Sequence, residues 1–156
     1  MIYVFDTSPL SALFKSYYRR RFPTLWEKFD LLVQECRLVS TREVMREIED
    51  GPIESLRDWT ANNHNLFPTP TASEGAFVAR IYGVAHFQRN IEQQKILKGG
   101  RNADPFVIAK AAVTAGTVVT MEVLRPNAAR IPNICEQFGV PWVSLEDFME
   151  KESWVF

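Results

Sequence analysis

The sequence is short of the residues on which several large protein classes depend. Only two of its 156 residues are cysteine, Cys36 and Cys135, far apart and outside any C-x-x-C. Two cysteines cannot staple a disulfide scaffold, so both are expected to be reduced, partly buried thiols. The two histidines, His64 and His86, are too few for an imidazole-rich metal site. Any metal is therefore expected to be hard and oxygen-liganded. No apolar run approaches the roughly 18 residues that a membrane helix needs. The opening MIYVFDTS lacks the basic flank of a signal peptide, and its apolar run stops at Asp6. These absences point to a cytoplasmic protein with no membrane partner. Internal repeats, low-complexity tracts and linkers are also missing, so residues 1–156 are expected to form one domain.

Apolar residues, by contrast, are plentiful. They make up 46% of the chain and aromatic residues 12%, enough for a full core, while 24% are charged. The net charge of −1 makes no global case for nucleic acid, but the distribution is uneven. Residues 15–21, KSYYRRR, carry four positive charges and no negative one. The stretch from Glu136 to Glu152 holds five acids and one lysine. Such polarity can orient a charged ligand, and solvated charge on two surface helices explains it equally well.

The pattern alternates strands with helices. IYVF at 2–5 reads as a buried strand, followed by a helix with Ser8 as cap and Pro9 in first position. A second helix is expected over 24–36 and a brief strand over 37–40. Ser40 and Glu43 match the S-x-x-E capping box of a helix that stops at Asp50-Gly51-Pro52. A short helix covers 54–62. Thr71 and Glu74 could cap one long helix reaching Lys98, with Phe77, Val78, Ile81, Val84, Ala85 and Ile91 at helical spacing. Lys98-Gly99-Gly100-Arg101-Asn102 reads as a basic loop. The helix after it, 105–115, is apolar nearly all round, as expected of a helix packed on a sheet. A strand over 117–121, a helix over 133–138, a strand over 141–143 and a helix over 145–151 complete an α/β fold. Its central sheet should be mainly parallel, with helices on both faces.

Four acids hold special places on this plan. Asp6 follows the first strand, and Glu47 lies on the helix after the second. Asp104 starts a helix, and Glu122 follows the 117–121 strand. In an open α/β sheet the ligand crevice lies beyond the carboxyl ends of the strands, where such residues can meet. An oxygen-rich cluster of that kind suits Mg2+ or Mn2+. Each acid also has a local explanation. Asp6 and Asp104 could cap helices, Glu47 could be an exposed helical residue, and Glu122 a loop residue. Their joint placement favours the site.

YVFDTSPL, the acid on the helix STREVMREIE, ADPFVIAKA and VVTMEV together resemble a PIN domain over nearly the whole chain. The closing IPNICEQFGVPWVSLEDFM resembles a PIN-like subgroup with an IP-x-x-C motif. The resemblance implies a PIN-like three-layer fold and a metal-dependent ribonuclease. Many such proteins are VapC-type toxins with a cognate antitoxin protein, and many are homodimers. It implies catalytic and metal-binding roles for Asp6, Glu47, Asp104 and Glu122, with Thr7 and Ser8 as small polar neighbours. The family's fourth acid is usually Asp in a T-N-D turn, and here Thr120-Met121-Glu122 stands in its place. The chemistry fits the residue types. Two unit charges ~5 Å apart repel by about 3 kcal/mol at an effective dielectric of 20. A divalent cation removes that repulsion, acidifies a bound water and neutralises charge on the scissile phosphate.

Substrate contacts are expected from Ser8 and from Lys98, Arg101 and Asn102 of the basic loop. Arg19, Arg20 and Arg21 are also candidates, because their aromatic neighbours Tyr17, Tyr18 and Phe22 suit single-stranded RNA. The arginines could equally meet an acidic partner. Two other readings compete. One is a PIN-like RNA- or protein-binding module that no longer cuts, suggested by Met121 and Glu122. The other is a phosphatase using Asp6 as nucleophile, disfavoured because Ser8 occupies the position where a second Asp is wanted.

Overall fold

The computed structural model describes residues 1–97 and 102–156, with the side chains of 94–97 excepted. The elements in chain order are β1 (Tyr3–Phe5), α1 (Thr7–Ser16), α2 (Pro23–Gln34), β2 (Leu38–Val39), α3 (Arg42–Glu49), α4 (Glu54–Asn62), α5 (Ala72–Tyr82), α6 (Gln88–Leu97), α7 (Asp104–Thr114), β3 (Thr117–Val119), α8 (Ile131–Phe138), β4 (Trp142–Val143) and α9 (Leu145–Lys151). The strands form one sheet in the order β2-β1-β3-β4, and every pairing is parallel. β1 lies inside the sheet, with Tyr3 opposite both Leu38 and Thr117, and Phe5 opposite Val119. All three of its residues are buried, as a parallel strand covered on both faces requires.

The strand order fixes the layers. From β1 the chain crosses one way to β2 through α1 and α2, then returns past β1 to β3 through α3–α7. Right-handed crossovers running in opposite directions put their helices on opposite faces. The reversal also opens a crevice between the carboxyl ends of β1 and β3, the usual ligand position in doubly wound sheets. α7 packs on β1 and β3 and against α5 and α8. It is buried along Pro105, Val107, Ile108, Ala109 and Ala111. Gly116 makes the turn from α7 into β3 possible, because a Cβ there would stand 3.1 Å from the Ile2 carbonyl oxygen and 3.3 Å from Val4 Cγ2.

Several local expectations are corrected. α1 begins at Thr7 with Asp6 in the cap position, so Ser8 and Pro9 lie inside the first turn. Ser40 is not the cap of α3. Its hydroxyl donates to the Phe5 carbonyl oxygen at 2.7 Å, tying β2 to the end of β1, and Thr41 caps the helix instead. Glu43 makes ion pairs with Arg42 and Arg46 rather than a capping box. The capping box at Thr71 and Glu74 is present, but the helix it starts stops at Tyr82. A 3-10 turn over Ala85–Phe87 follows before α6. The break buries Phe87, and Gln88 Nε2 donates to the Tyr82 carbonyl oxygen that the interrupted helix exposes. α8 starts two residues earlier than expected, at Ile131. Cys135 is buried as expected of a structural thiol, whereas Cys36 is exposed.

The last helix and the segment after it are fastened to β1. The Phe148 ring meets Tyr3 and Phe5 edge-on at 4.7 and 5.2 Å. Beyond it, Glu152 Oε2 accepts from Tyr3 Oη at 2.7 Å and from Arg37 Nη2 at 2.6 Å. Burial raises the Glu152 pKa, but the hydrogen bonds from Arg37 and Tyr3, with Arg37's charge, outweigh it and hold the carboxyl below its ordinary value. A depressed carboxyl stabilises the fold above its unfolded pKa of about 4.3 and loses that effect as the pH falls through the folded value. Glu152→Gln is expected to lower stability by about 1–2 kcal/mol at pH 7. The difference in melting temperature between parent and variant should close in acid; a gap that persists unchanged below pH 3 would contradict the linkage.

Candidate metal centre

Asp6 and Thr120 stand at the crevice because they immediately follow β1 and β3, and Glu122 comes two residues after Thr120. The Asp6 amide donates to the Val119 carbonyl oxygen at 3.0 Å, extending the parallel ladder by one rung. That rung brings the side chain of Asp6 to Thr120, whose hydroxyl donates to Asp6 Oδ2 at 3.2 Å. Ser8 Oγ donates to the same oxygen at 3.3 Å and accepts from the Met121 amide at 3.3 Å. Asp6 is 2% exposed. Thr7, next along, donates to Glu47 Oε1 at 2.5 Å and so draws α3 to the same edge.

Asp104 reaches this edge from the other direction. α7 runs antiparallel to the strand it precedes, so its first turn lies at the carboxyl end of β3. Asp104 is wholly buried there. Its Oδ2 accepts from Asn90 Nδ2 at 3.0 Å, and the same amide nitrogen donates to the Ala129 carbonyl oxygen at 3.0 Å. Asn90 Oδ1 accepts from Asn102 Nδ2 at 2.7 Å and from Tyr82 Oη at 3.3 Å. Asn102 also donates to Tyr82 Oη, and its Oδ1 accepts from the Asp104 amide. Burial first, then the charge of Asp104, pushes the Tyr82 hydroxyl pKa well above its ordinary value, so it stays protonated. Beside this network a cavity of about 450 Å3 opens between α3, α5 and α7, with Arg46, Tyr82, Asn102 and Phe106 on its walls.

Glu122 closes the chain of contacts. Its amide donates to Thr120 Oγ1, and its Oε2 accepts from the Ile131 amide at 2.8 Å, at the start of α8. The segment leading into α8 therefore touches Glu122 through Ile131 and Asn90 through Ala129. Cys135 lies close by; burial, then the charges of Glu136, Glu122 and Asp104, raise its thiol pKa far above the ordinary value. It is not a nucleophile at neutral pH.

The structure thus places Asp6, Glu47, Asp104 and Glu122 at the carboxyl edge of the sheet, with Ser8 and Asn102 among them. The edge offers hard oxygen donors, the type that Mg2+ and Mn2+ take. Among the described residues, however, no three His, Cys, Asp or Glu side chains form a set that could hold an ion as they stand. Lys98 and Arg101 lie outside the described residues. Arg19, Arg20 and Arg21 are not brought to this edge. They follow α1, which is ten residues and about 15 Å long and runs away from Asp6. Sequence reasoning identifies neither Asn90 nor Tyr82, since nothing in QRNIEQQK marks its Asn as buried.

Removing Asn90 would leave Asp104, Asn102, Tyr82 and the Ala129 carbonyl short of partners in a buried setting. Asn90→Ala is expected to cost about 2–4 kcal/mol in urea unfolding. Asn102→Ala combined with it should be non-additive by more than about 0.5 kcal/mol. Additive effects would show that the two amides do not act as one network.

No curated protein matches this chain. Among solved structures it is similar to a chain of VapBC2 from Rickettsia felis, bound to a DNA fragment from their promoter. The TM-score is 0.51 at 13% identity, over 92% of this chain and 98% of that one. At that identity the likeness is one of fold, and it agrees with a PIN-like α/β architecture built on a parallel sheet. Over residues 3–156 the sequence matches the family described as Domain of unknown function (DUF4411), and the chain belongs to that family.

Proposed function

We propose that the protein is a PIN-type endoribonuclease that depends on Mg2+ or Mn2+ and acts as the toxin of a toxin–antitoxin pair. One observation carries the reading: two buried carboxylates, Asp6 and Asp104, reach the β1/β3 crevice from different parts of the chain, and Glu47 and Glu122 are tied to the same edge. Asp6, Asp104 and Glu47 would hold the ion, with Glu122 beside them. Mg2+ keeps several waters and needs only one or two carboxylates from a protein, so water would complete the shell around these acids. When bound, the ion supplies positive charge for the scissile phosphate and acidifies a water. Thr120 and Ser8 orient Asp6, and Asn90 orients Asp104, all as neutral donors that add no positive charge of their own. The fold shared with VapBC2 supports the toxin reading, with a cognate antitoxin as protein partner, and RNA as substrate follows from the resemblance to PIN domains.

Purified protein is expected to cut single-stranded RNA with Mn2+ and to stop with EDTA. Asp6→Asn and Asp104→Asn should each lower the rate by more than the roughly 10–100-fold that loss of a group behind the ligands costs, with the fold retained. Mn2+ at 100 times its dissociation constant should stabilise the parent by about 2.7 kcal/mol and the variants by less. A second reading, a module that binds RNA without cutting, is favoured by the bond that holds Glu122 on the Ile131 amide and by Met121 in the turn. RNA retained intact by the parent with Mn2+ present would select it.

A further inference from the structure

At the far end of α1 from the acidic edge lies a second cavity, of about 490 Å3. This is within the size range of small-ligand sites. Apart from Ser55, every residue lining it is aromatic or arginine. Phe14, Tyr17 and Tyr18 come from α1 and the turn after it, Trp26 from α2 and Trp59 from α4. The turn is held in place: Trp26 Nε1 donates to the Tyr17 carbonyl oxygen at 2.7 Å, and the Tyr17 and Phe22 rings meet at 5.2 Å. Arg19 already shows what the wall accepts. Its flat guanidinium lies 4.3 Å from the centre of the Trp26 ring and is neutralised by Asp30 at 3.1 Å. Arg20 and Arg21 are exposed and make no ion pair among the described residues. Tyr18 is 64% exposed beside them.

Ring faces bind planar groups by stacking, and unpaired guanidiniums bind phosphate. A ligand that satisfies both at once carries an aromatic base and an adjoining phosphate. We infer that this cavity is a nucleotide subsite for single-stranded RNA, with a base stacked at Tyr18 and the flanking phosphates on Arg20 and Arg21. The inference rests on the ribonuclease reading for its choice of RNA, and it separates gripping the strand from cutting it. The grip lies about one helix length from the carboxylates, so it acts on nucleotides away from the scissile bond. An acidic polypeptide would use the arginines but would leave the exposed Tyr18 ring with no planar partner to stack on.

The test is binding of a fluorescein-labelled single-stranded RNA in EDTA, where no metal-dependent cutting occurs. The parent is compared with Tyr18→Ala and with Arg20→Ala/Arg21→Ala. All three positions are exposed, and thermal melts check that each variant folds. Loss of one stacked base should weaken binding about fivefold or more in Tyr18→Ala. Loss of two phosphate contacts should reduce the slope of log K against log salt by about 1.4. RNA should quench tryptophan fluorescence in the parent. Unchanged affinity and slope in both variants would overturn the subsite, as would an abasic strand that binds as tightly as one bearing bases. Polyglutamate that displaces RNA at equal charge would assign the arginines to an acidic protein partner instead. A protein that binds as expected here yet never cuts with Mn2+ would refute the nuclease reading and leave the subsite standing.

Discussion

The hydrogen bond from the Asp6 amide to the Val119 carbonyl oxygen is the contact on which the candidate site depends. It is the last rung between β1 and β3, and it sets Asp6 beside Thr120. Parallel pairing fixes register, and a slip of one residue would turn Asp6 to the other face. The pairing is defended from several sides. Ser40 ties β2 to the Phe5 carbonyl, Phe148 covers Tyr3 and Phe5, and Gly116 permits the close approach of the chain entering β3. Core packing thereby sets the position of a carboxylate that contributes little to the core itself.

Gathering acids at one edge works against stability, since like charges in a partly desolvated crevice repel and buried carboxylates lose hydration. The fold offsets part of this with neutral donors. Thr120 and Ser8 serve Asp6, Thr7 serves Glu47, Asn90 serves Asp104 and the Ile131 amide serves Glu122. Such donors orient a carboxylate without removing its charge. At Glu152 the acid forms a structural ion pair with Arg37.

The overall fold was legible because its strands are short apolar runs and its helices carry apolar stripes. α4 and α9 fall where the pattern puts them, and the Thr71–Glu74 box is formed. What was hidden depends on tertiary contacts. Ser40 and Thr41 are equally good caps in isolation, and the carbonyl of Phe5 decides between them. The spacing from Phe77 to Ile91 is continuous on paper, but burial of Phe87 breaks the helix. At the site, Asp6 and Asp104 stood out because each sits at an element boundary. Asn90 did not, because its tie to Asp104 joins residues 14 apart in sequence and on different helices. The charge of Arg19 to Arg21 was visible, whereas its distance from the acids follows from the length and direction of α1.

The central claim is that the sheet's carboxyl edge is a divalent-cation site built from Asp6 and Asp104. A crystal grown with Mn2+ and measured at a wavelength that reveals manganese tests it most directly. The account predicts an anomalous peak between these two carboxylates, with Glu47 drawn toward it. An occupied manganese site elsewhere with this edge empty, or no bound ion at saturating Mn2+, would contradict it.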